Sequence, residues 1–149
     1  MKLNWYLFGQ TRRANRSKTV GPYLSVKLPQ LDIDDLSAKI DTGAFSGALH
    51  ASGIKEITDE NGRKLLQFKP HGSKREIVQV DTYHKRTVKS SNGEKSKRYA
   101  FETEIIILEE TYLITITLTN RSTMRYPMLI GRKFLRTHGF LVDVSMHNK

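Results

Sequence analysis

The sequence predicts an all-β domain with one short helix near its C-terminus, and three observations carry that expectation. Apolar and polar residues alternate with a period of two in segment after segment, as strands with one buried face do. Asn61-Gly62 and Asn92-Gly93 sit between such segments, where tight hairpins need the positive φ that these residues supply. Only residues 133–138, followed by Gly139, lack the alternation and invite a helix. Many short strands separated by turns fold as a barrel or a sandwich.

The elements follow in order. Residues 1–20 show no periodicity and carry Lys2, Arg12, Arg13, Arg16 and Lys18 without an acid, which reads as a basic N-terminal arm ahead of a domain over 21–149. Leu24, Val26 and Leu28 alternate with Ser25 and Lys27 and form the first strand. Asp32, Asp34 and Asp35 read as a polar loop, after which Ala38-Lys39-Ile40 forms a strand that runs into Asp41-Thr42-Gly43. Residues 48–51 form a further strand, and 54–58 and 64–68 a hairpin across Asn61-Gly62. Residues 76–80 are the next strand, and Asn92-Gly93 turns a hairpin within a basic stretch. Residues 98–108 and 112–118 flank a turn at Glu109-Glu110, with Ile114, Ile116 and Leu118 on one face and Thr115, Thr117 and Thr119 on the other. A last strand over 140–144 follows the helix.

The 149 residues amount to one domain, large enough to bury a core. No run approaches the roughly 20 apolar residues of a membrane span, and Asn4-Trp5-Tyr6-Leu7-Phe8 is too short and polar for a secretory signal. Zero cysteines exclude disulfides, thiolate zinc sites and cysteine nucleophiles, and a cytoplasmic location is expected. The net charge of +10 is unevenly placed. Besides the arm, Lys85, Arg86, Lys89, Lys95, Lys97 and Arg98 crowd one hairpin against Glu94, and Arg121, Arg125, Arg132, Lys133 and Arg136 follow late in the chain. Such segregation suggests a basic face for an anionic partner or substrate.

Asp-Thr-Gly turns up by chance in roughly 3% of chains this long, so the tripeptide gains meaning only from context. It leaves an apolar strand for small residues, and Met128-Leu129-Ile130-Gly131-Arg132 comes later, leading into the helix. Two carboxylates sharing one proton can act together as general base and general acid, which amide hydrolysis requires. One Asp-Thr-Gly per chain supplies half of such a pair, so a working site needs a homodimer with Asp41 of each chain on the two-fold axis. Thr42 is expected to steady the turn through its hydroxyl and Gly43 to permit close approach of backbones. The plain alternative is an Asp turn without catalysis.

Ala38-Lys39-Ile40-Asp41-Thr42-Gly43-Ala44, Ala48-Leu49-His50-Ala51, residues 88–94, Arg98-Tyr99, residues 118–122, Pro127-Met128-Leu129-Ile130-Gly131-Arg132 and Val142-Asp143 together resemble the retropepsin-like aspartic peptidases. The likeness is to the bacterial branch linked to ATP-grasp ligases, often labelled ATP-dependent zinc proteases. It implies a closed acid-protease barrel, and catalysis by Asp41 with Thr42 and Gly43. It also implies substrate contacts from Ala44 and from a flap at Ser90, Ser91, Asn92 and Gly93, and a structural role for Ile130, Gly131 and Arg132. The branch usually has Arg-Thr-Ser where this chain has Phe45-Ser46-Gly47. In retroviral relatives an Asp near position 45 pairs with the Arg of the Gly-Arg motif. Phe45 cannot do so, and Arg132 is expected to find another carboxylate.

The zinc label finds little support in the residues: there is no His-Glu-x-x-His, and His50, His71, His84, His138 and His147 lack ligand spacing. No cofactor is expected. No Gly-rich phosphate loop appears, so ATP dependence would come from a partner such as an ATP-grasp ligase. His50 is expected to pack near the strand after the site, Asp81 to be structural, and Asp143 to be an ion-pair partner. The leading reading is a homodimeric aspartic peptidase acting on peptides or proteins, with acidic ones preferred. Two others stand beside it: a basic β-barrel binding nucleic acid, with Tyr99 and Phe101 as its only good exposed aromatics, and a non-catalytic retropepsin-like domain that dimerises or binds peptide.

Overall fold

The computed structural model describes residues 18–147, so most of the expected basic arm lies outside the described residues. Among the described residues the strands are β1 (Thr19–Val20), β2 (Tyr23–Leu28), β3 (Ile33–Asp41), β4 (Gly47–Thr58), β5 (Lys64–Pro70), β6 (Val78–Val80), β7 (His84–Lys89), β8 (Lys95–Ile107), β9 (Glu110–Thr119), β10 (Met128–Gly131) and β11 (Leu141–Val142). The helix α1 spans Arg132–Thr137, and a 3-10 turn occupies Pro29–Leu31. The fold is mostly β, as expected. No helix among the described residues is long and apolar enough to cross a membrane.

Pairing runs β10-β3-β2-β8-β9-β4, and β4 also pairs with β10, so these six strands form a ring. β5 and β6 continue outward from β4, and β7 joins β8 in a hairpin that leaves the ring. β1 and β11 make a separate two-stranded parallel sheet. The ring encloses Leu28, Ile33, Leu49, Ile105, Ile116, Met128 and Ile130, all with no exposed surface. Each such side chain stabilises the fold by roughly 1.5–3 kcal/mol relative to exposure.

Several expectations need correction. Asp34 and Asp35 lie on β3 rather than in a loop, because a register shift between Val26 and Leu28 lets both Ile33 and Leu36 face the core. Residues 48–51 and 54–58 belong to one strand, with the shift between Ser52 and Lys55 absorbing the irregularity. Thr117, expected on the face opposite Ile114, Ile116 and Leu118, is nonetheless buried, and donates its hydroxyl to the Gly47 carbonyl of the neighbouring strand β4 at 2.9 Å. The β8–β9 turn falls at Leu108 and Glu109, which reach positive φ without a glycine. Tyr23, at the start of β2, is 43% exposed and stacks on Tyr126.

Candidate active site

Asp41 is the last residue of β3, and β10 runs parallel beside it with Gly131 in register. Ile40 and Ile130 are buried, so the carboxylate emerges where two core strands end together. The chain then turns, and Asp41 Oδ1 accepts the backbone N–H of Gly43 at 3.0 Å and of Ala44 at 3.2 Å. A side-chain oxygen that accepts from the next peptide units fixes its own turn. That bracing replaces the role expected of Thr42, whose exposed hydroxyl makes no hydrogen bond among the described residues. A Cβ on Gly43 would come within 3.2 Å of Asp41 Oδ1 and crowd the carboxylate.

The loop after the Asp packs on the start of α1. Arg132 N donates to Ala44 O at 2.8 Å and Lys133 N to Phe45 O at 3.1 Å. Gly131 is needed at this contact, since a Cβ there would lie 2.7 Å from the carbonyl oxygens of both Phe45 and Ser46. Arg132 Nη1 donates to Gly43 O at 2.9 Å. The expected second carboxylate for Arg132 is not there: among the described residues no acid pairs with it, and its guanidinium lies 5.4 Å from the centre of the Phe45 ring. Lys133 Nζ lies 5.8 Å from the same ring.

A cavity of about 330 Å³ opens between this loop and the β7–β8 hairpin, lined by Gly43, Ala44, Arg86, Lys89, Arg98 and Arg132 among others. The described residues that line it include no acid. Arg86 and Arg98 are direct cross-strand neighbours, and like charges placed opposite each other on one face are destabilising. Arg86 Nη1 is buried without a hydrogen-bond partner among the described residues, and a buried donor of this kind costs about 1–3 kcal/mol until an acceptor reaches it. Arg121, on the loop after β9, joins the same field. Burial first, and then the charge of Arg98, push its guanidinium below the ordinary value, while the Asp41 carboxylate pulls the other way. The cavity thus has the electrostatics of an anion site.

Glu56 of β4 anchors the base of the hairpin. Its carboxylate accepts the Tyr99 and Tyr83 hydroxyls, each at 2.9 Å, and lies 3.5 Å from Lys85 Nζ. These contacts, Tyr99 foremost, hold the Glu56 carboxyl below the usual carboxylate range. A carboxyl held low contributes fully above its unfolded value and loses the contribution as pH falls through the folded one, so the anchor is intact at neutral pH and given up in acid. At the tip, Gly93 has φ of 87°, Gly93 N donates to Ser90 O at 3.0 Å, and Glu94 N donates to Asn92 Oδ1 at 3.1 Å. The Ser90 hydroxyl is engaged within this turn by Asn92 and by Glu94 O. Ser90, Ser91, Asn92 and Gly93 therefore lie beyond the cavity wall, which the hairpin builds from Arg86, Val88 and Arg98.

The remaining candidates fall elsewhere. His50 sits on β4, and its Nδ1 accepts the Arg121 N–H at 2.8 Å, tying the β9–β10 loop to the ring. Asp143, expected in an ion pair, instead accepts Ser145 N at 3.0 Å and the Ser145 hydroxyl at 2.6 Å. Phe101 is buried and Tyr99 is bonded to Glu56, so the aromatics that a nucleic-acid surface would need are engaged inside the fold. A larger cavity of about 460 Å³, lined by Arg63, Arg75, Asp81 and Glu102, holds none of the predicted site residues. Among the described residues no three His, Cys, Asp or Glu side chains are grouped as a metal site requires.

Residues 19–148 match the family described as RimB-like, retropepsin-like aspartic endopeptidase RimB. Two curated proteins named probable alpha-L-glutamate ligase are similar to the chain. One, from Shewanella pealeana, is 34% identical over 122 residues, covering 78% of this chain and 26% of that protein. The other, from Parasynechococcus marenigrum, is 30% identical over 122 residues, with 79% and 26% covered. The match thus spans about a quarter of the length of these relatives. A crystal structure of a protein of unknown function from Legionella pneumophila is 30% identical, with a TM-score of 0.69 over 88% of this chain and 96% of that one.

Proposed function

Because this chain belongs to the RimB-like family of retropepsin-like aspartic endopeptidases, we propose that it hydrolyses peptide bonds as a homodimer in the cytoplasm, with Asp41 of each chain forming the catalytic pair. The observation that carries this reading is the Asp41 carboxylate itself, set at the ends of two core strands and braced by Gly43 N and Ala44 N. The ring of strands is read as the closed acid-protease barrel, and the β7–β8 hairpin as its flap, closing over substrate with Ser90, Ser91, Asn92 and Gly93 at the tip.

The chemistry needs no group besides the two carboxyls and water. The ionised carboxyl takes a proton from water as its oxygen attacks the scissile carbonyl carbon, while the protonated carboxyl gives its proton to the carbonyl oxygen. The first carboxyl then gives the proton it took to the amide nitrogen, the second takes one back from a hydroxyl of the tetrahedral intermediate as the carbonyl re-forms, the C–N bond breaks, and the pair again holds one proton. Gly43, Ile130, Gly131 and Arg132 hold the geometry, and Ala44 lies against the substrate.

The substrate class follows from charge. Arg86 and Arg98 face each other in a cavity whose described lining has no acid, and Arg121 lies within reach of Arg98 and Asp41, so an acidic peptide would satisfy both the facing arginines and the unpartnered Arg86 donor. The relatives named as glutamate ligases support glutamate-rich peptides, and with them a functional link to an ATP-grasp ligase that makes such peptides. Profiling a mixed peptide library tests this. Cleavage should concentrate at sites flanked by Glu or Asp and weaken as salt rises. Arg98→Ala should raise KM for acidic peptides about tenfold to a hundredfold with a smaller effect on kcat. A profile indifferent to acidic residues would contradict the substrate class.

A further inference from the structure

Phe45 stands where burial does not explain it. It is half exposed, on a turn of otherwise small residues, yet two cations lie over its ring, Arg132 at 5.4 Å and Lys133 at 5.8 Å from the centroid. A guanidinium over an aromatic face is attracted by the ring quadrupole without losing its charge.

What Arg132 does from that position bears directly on Asp41. Its Nη1 donates to Gly43 O at 2.9 Å, and the N–H of the same peptide unit, that of Ala44, donates to Asp41 Oδ1 at 3.2 Å. The peptide unit is planar, so fixing its carbonyl fixes the direction of its N–H. A charged donor at the carbonyl also polarises the unit and strengthens the bond its N–H gives. Ring, guanidinium, peptide and carboxylate thus form one connected series.

We propose that Phe45 is a positioning residue: its ring holds Arg132 on the Gly43–Ala44 peptide, and through that peptide aims the Asp41 carboxylate, a task for which an acidic partner would be the ordinary solution. The inference rests on the reading of Asp41 as catalytic. The ring holds the arginine without neutralising it, which leaves the Arg132 charge available to a cavity whose described lining has no acid.

The test compares wild type with Phe45→Tyr, Phe45→Leu and Phe45→Asp. Leucine keeps apolar bulk but cannot hold a cation, whereas aspartate shares with phenylalanine only the capacity to hold Arg132. Phe45→Leu should lower kcat about tenfold with KM little changed. Phe45→Tyr should stay within about threefold of wild type, and Phe45→Asp should recover most of what Phe45→Leu loses. Leucine matching wild type, or aspartate no better than leucine, would overturn the proposal in favour of plain packing. The second readout does not depend on turnover: the Arg132 Nε–H resonance should be shifted by the ring current in wild type and Phe45→Tyr, and relax to an ordinary position in Phe45→Leu. An Arg132 resonance indifferent to residue 45 would overturn the contact itself. A wild type that binds peptides without cleaving them would overturn the peptidase reading and the catalytic part of this inference, with the resonance still deciding whether Phe45 holds Arg132.

Discussion

Replacing Asp41 by Asn is expected to abolish peptide hydrolysis while leaving a folded chain that still binds peptide. The amide oxygen of asparagine can accept the same bonds from Gly43 N and Ala44 N that Asp41 Oδ1 accepts at 3.0 and 3.2 Å, so the turn keeps its shape. What is lost is the capacity to take a proton from water and hand it on, and removing general acid–base catalysis at a single group costs about 10²–10⁴-fold. Here the substitution removes both partners of the pair at once, so the loss should reach at least the upper end of that range. Initial rates for the two proteins, with peptide affinity measured on the variant, check this. A chelator should leave the wild-type rate unchanged. Turnover retained in Asp41→Asn, or a wild-type rate that chelation removes and zinc restores, would contradict it.

Gly131→Ala should be the most damaging single methyl that can be added near the site. The new Cβ would lie 2.7 Å from the carbonyl oxygens of Phe45 and Ser46, and both are backbone atoms that cannot rotate away. The loop must move off α1, which weakens Arg132 N to Ala44 O and Lys133 N to Phe45 O. Overpacking of this kind costs about 1–3 kcal/mol, and a displacement of about 1 Å beside the reacting groups costs about a hundredfold in rate. Gly62→Ala is the control. Gly62 has a demanding backbone, with φ of 80°, but nothing stands within 4 Å of its Cβ and it lies on the β4–β5 turn. It should lower stability by about 1 kcal/mol and leave kcat/KM unchanged. Equal kinetic effects at the two positions would mean that the contact between the loop and Gly131 does not position Asp41.

The parts of this architecture that were legible in the sequence are those with local causes. The alternation of Leu24, Val26 and Leu28 fixes β2, and Asn92-Gly93 fixes the β7–β8 turn. Asp41-Thr42-Gly43 and Ile130-Gly131-Arg132 mark the two strand ends that meet, and the structure sets Asp41 opposite Gly131. Long-range consequences were not legible. The basic residues of 84–98 and 121–138 read as two charged stretches, and only the cross-strand register of Arg86 with Arg98 and the packing of the 43–46 loop on Arg132 bring members of both to one cavity. Thr117 obeys the alternation of β9 yet is buried, its hydroxyl bonded to the Gly47 carbonyl of the neighbouring strand β4. Phe45 rules out an ion pair to Arg132 by its chemistry, but that the ring itself takes the guanidinium depends on where α1 begins.

The central claim is that one active site is built from two chains, each giving one Asp41, and subunit mixing tests it most directly. Wild type and Asp41→Asn are combined at fixed total concentration, well above that needed for dimerisation, and the peptidase rate is followed as the wild-type fraction falls. If both carboxylates are needed, mixed dimers are inactive and the rate falls as the square of that fraction, to about a quarter when the two proteins are equal in amount. A rate that falls in direct proportion, to about half at equal amounts, would mean that each chain works alone and that the shared pair does not exist.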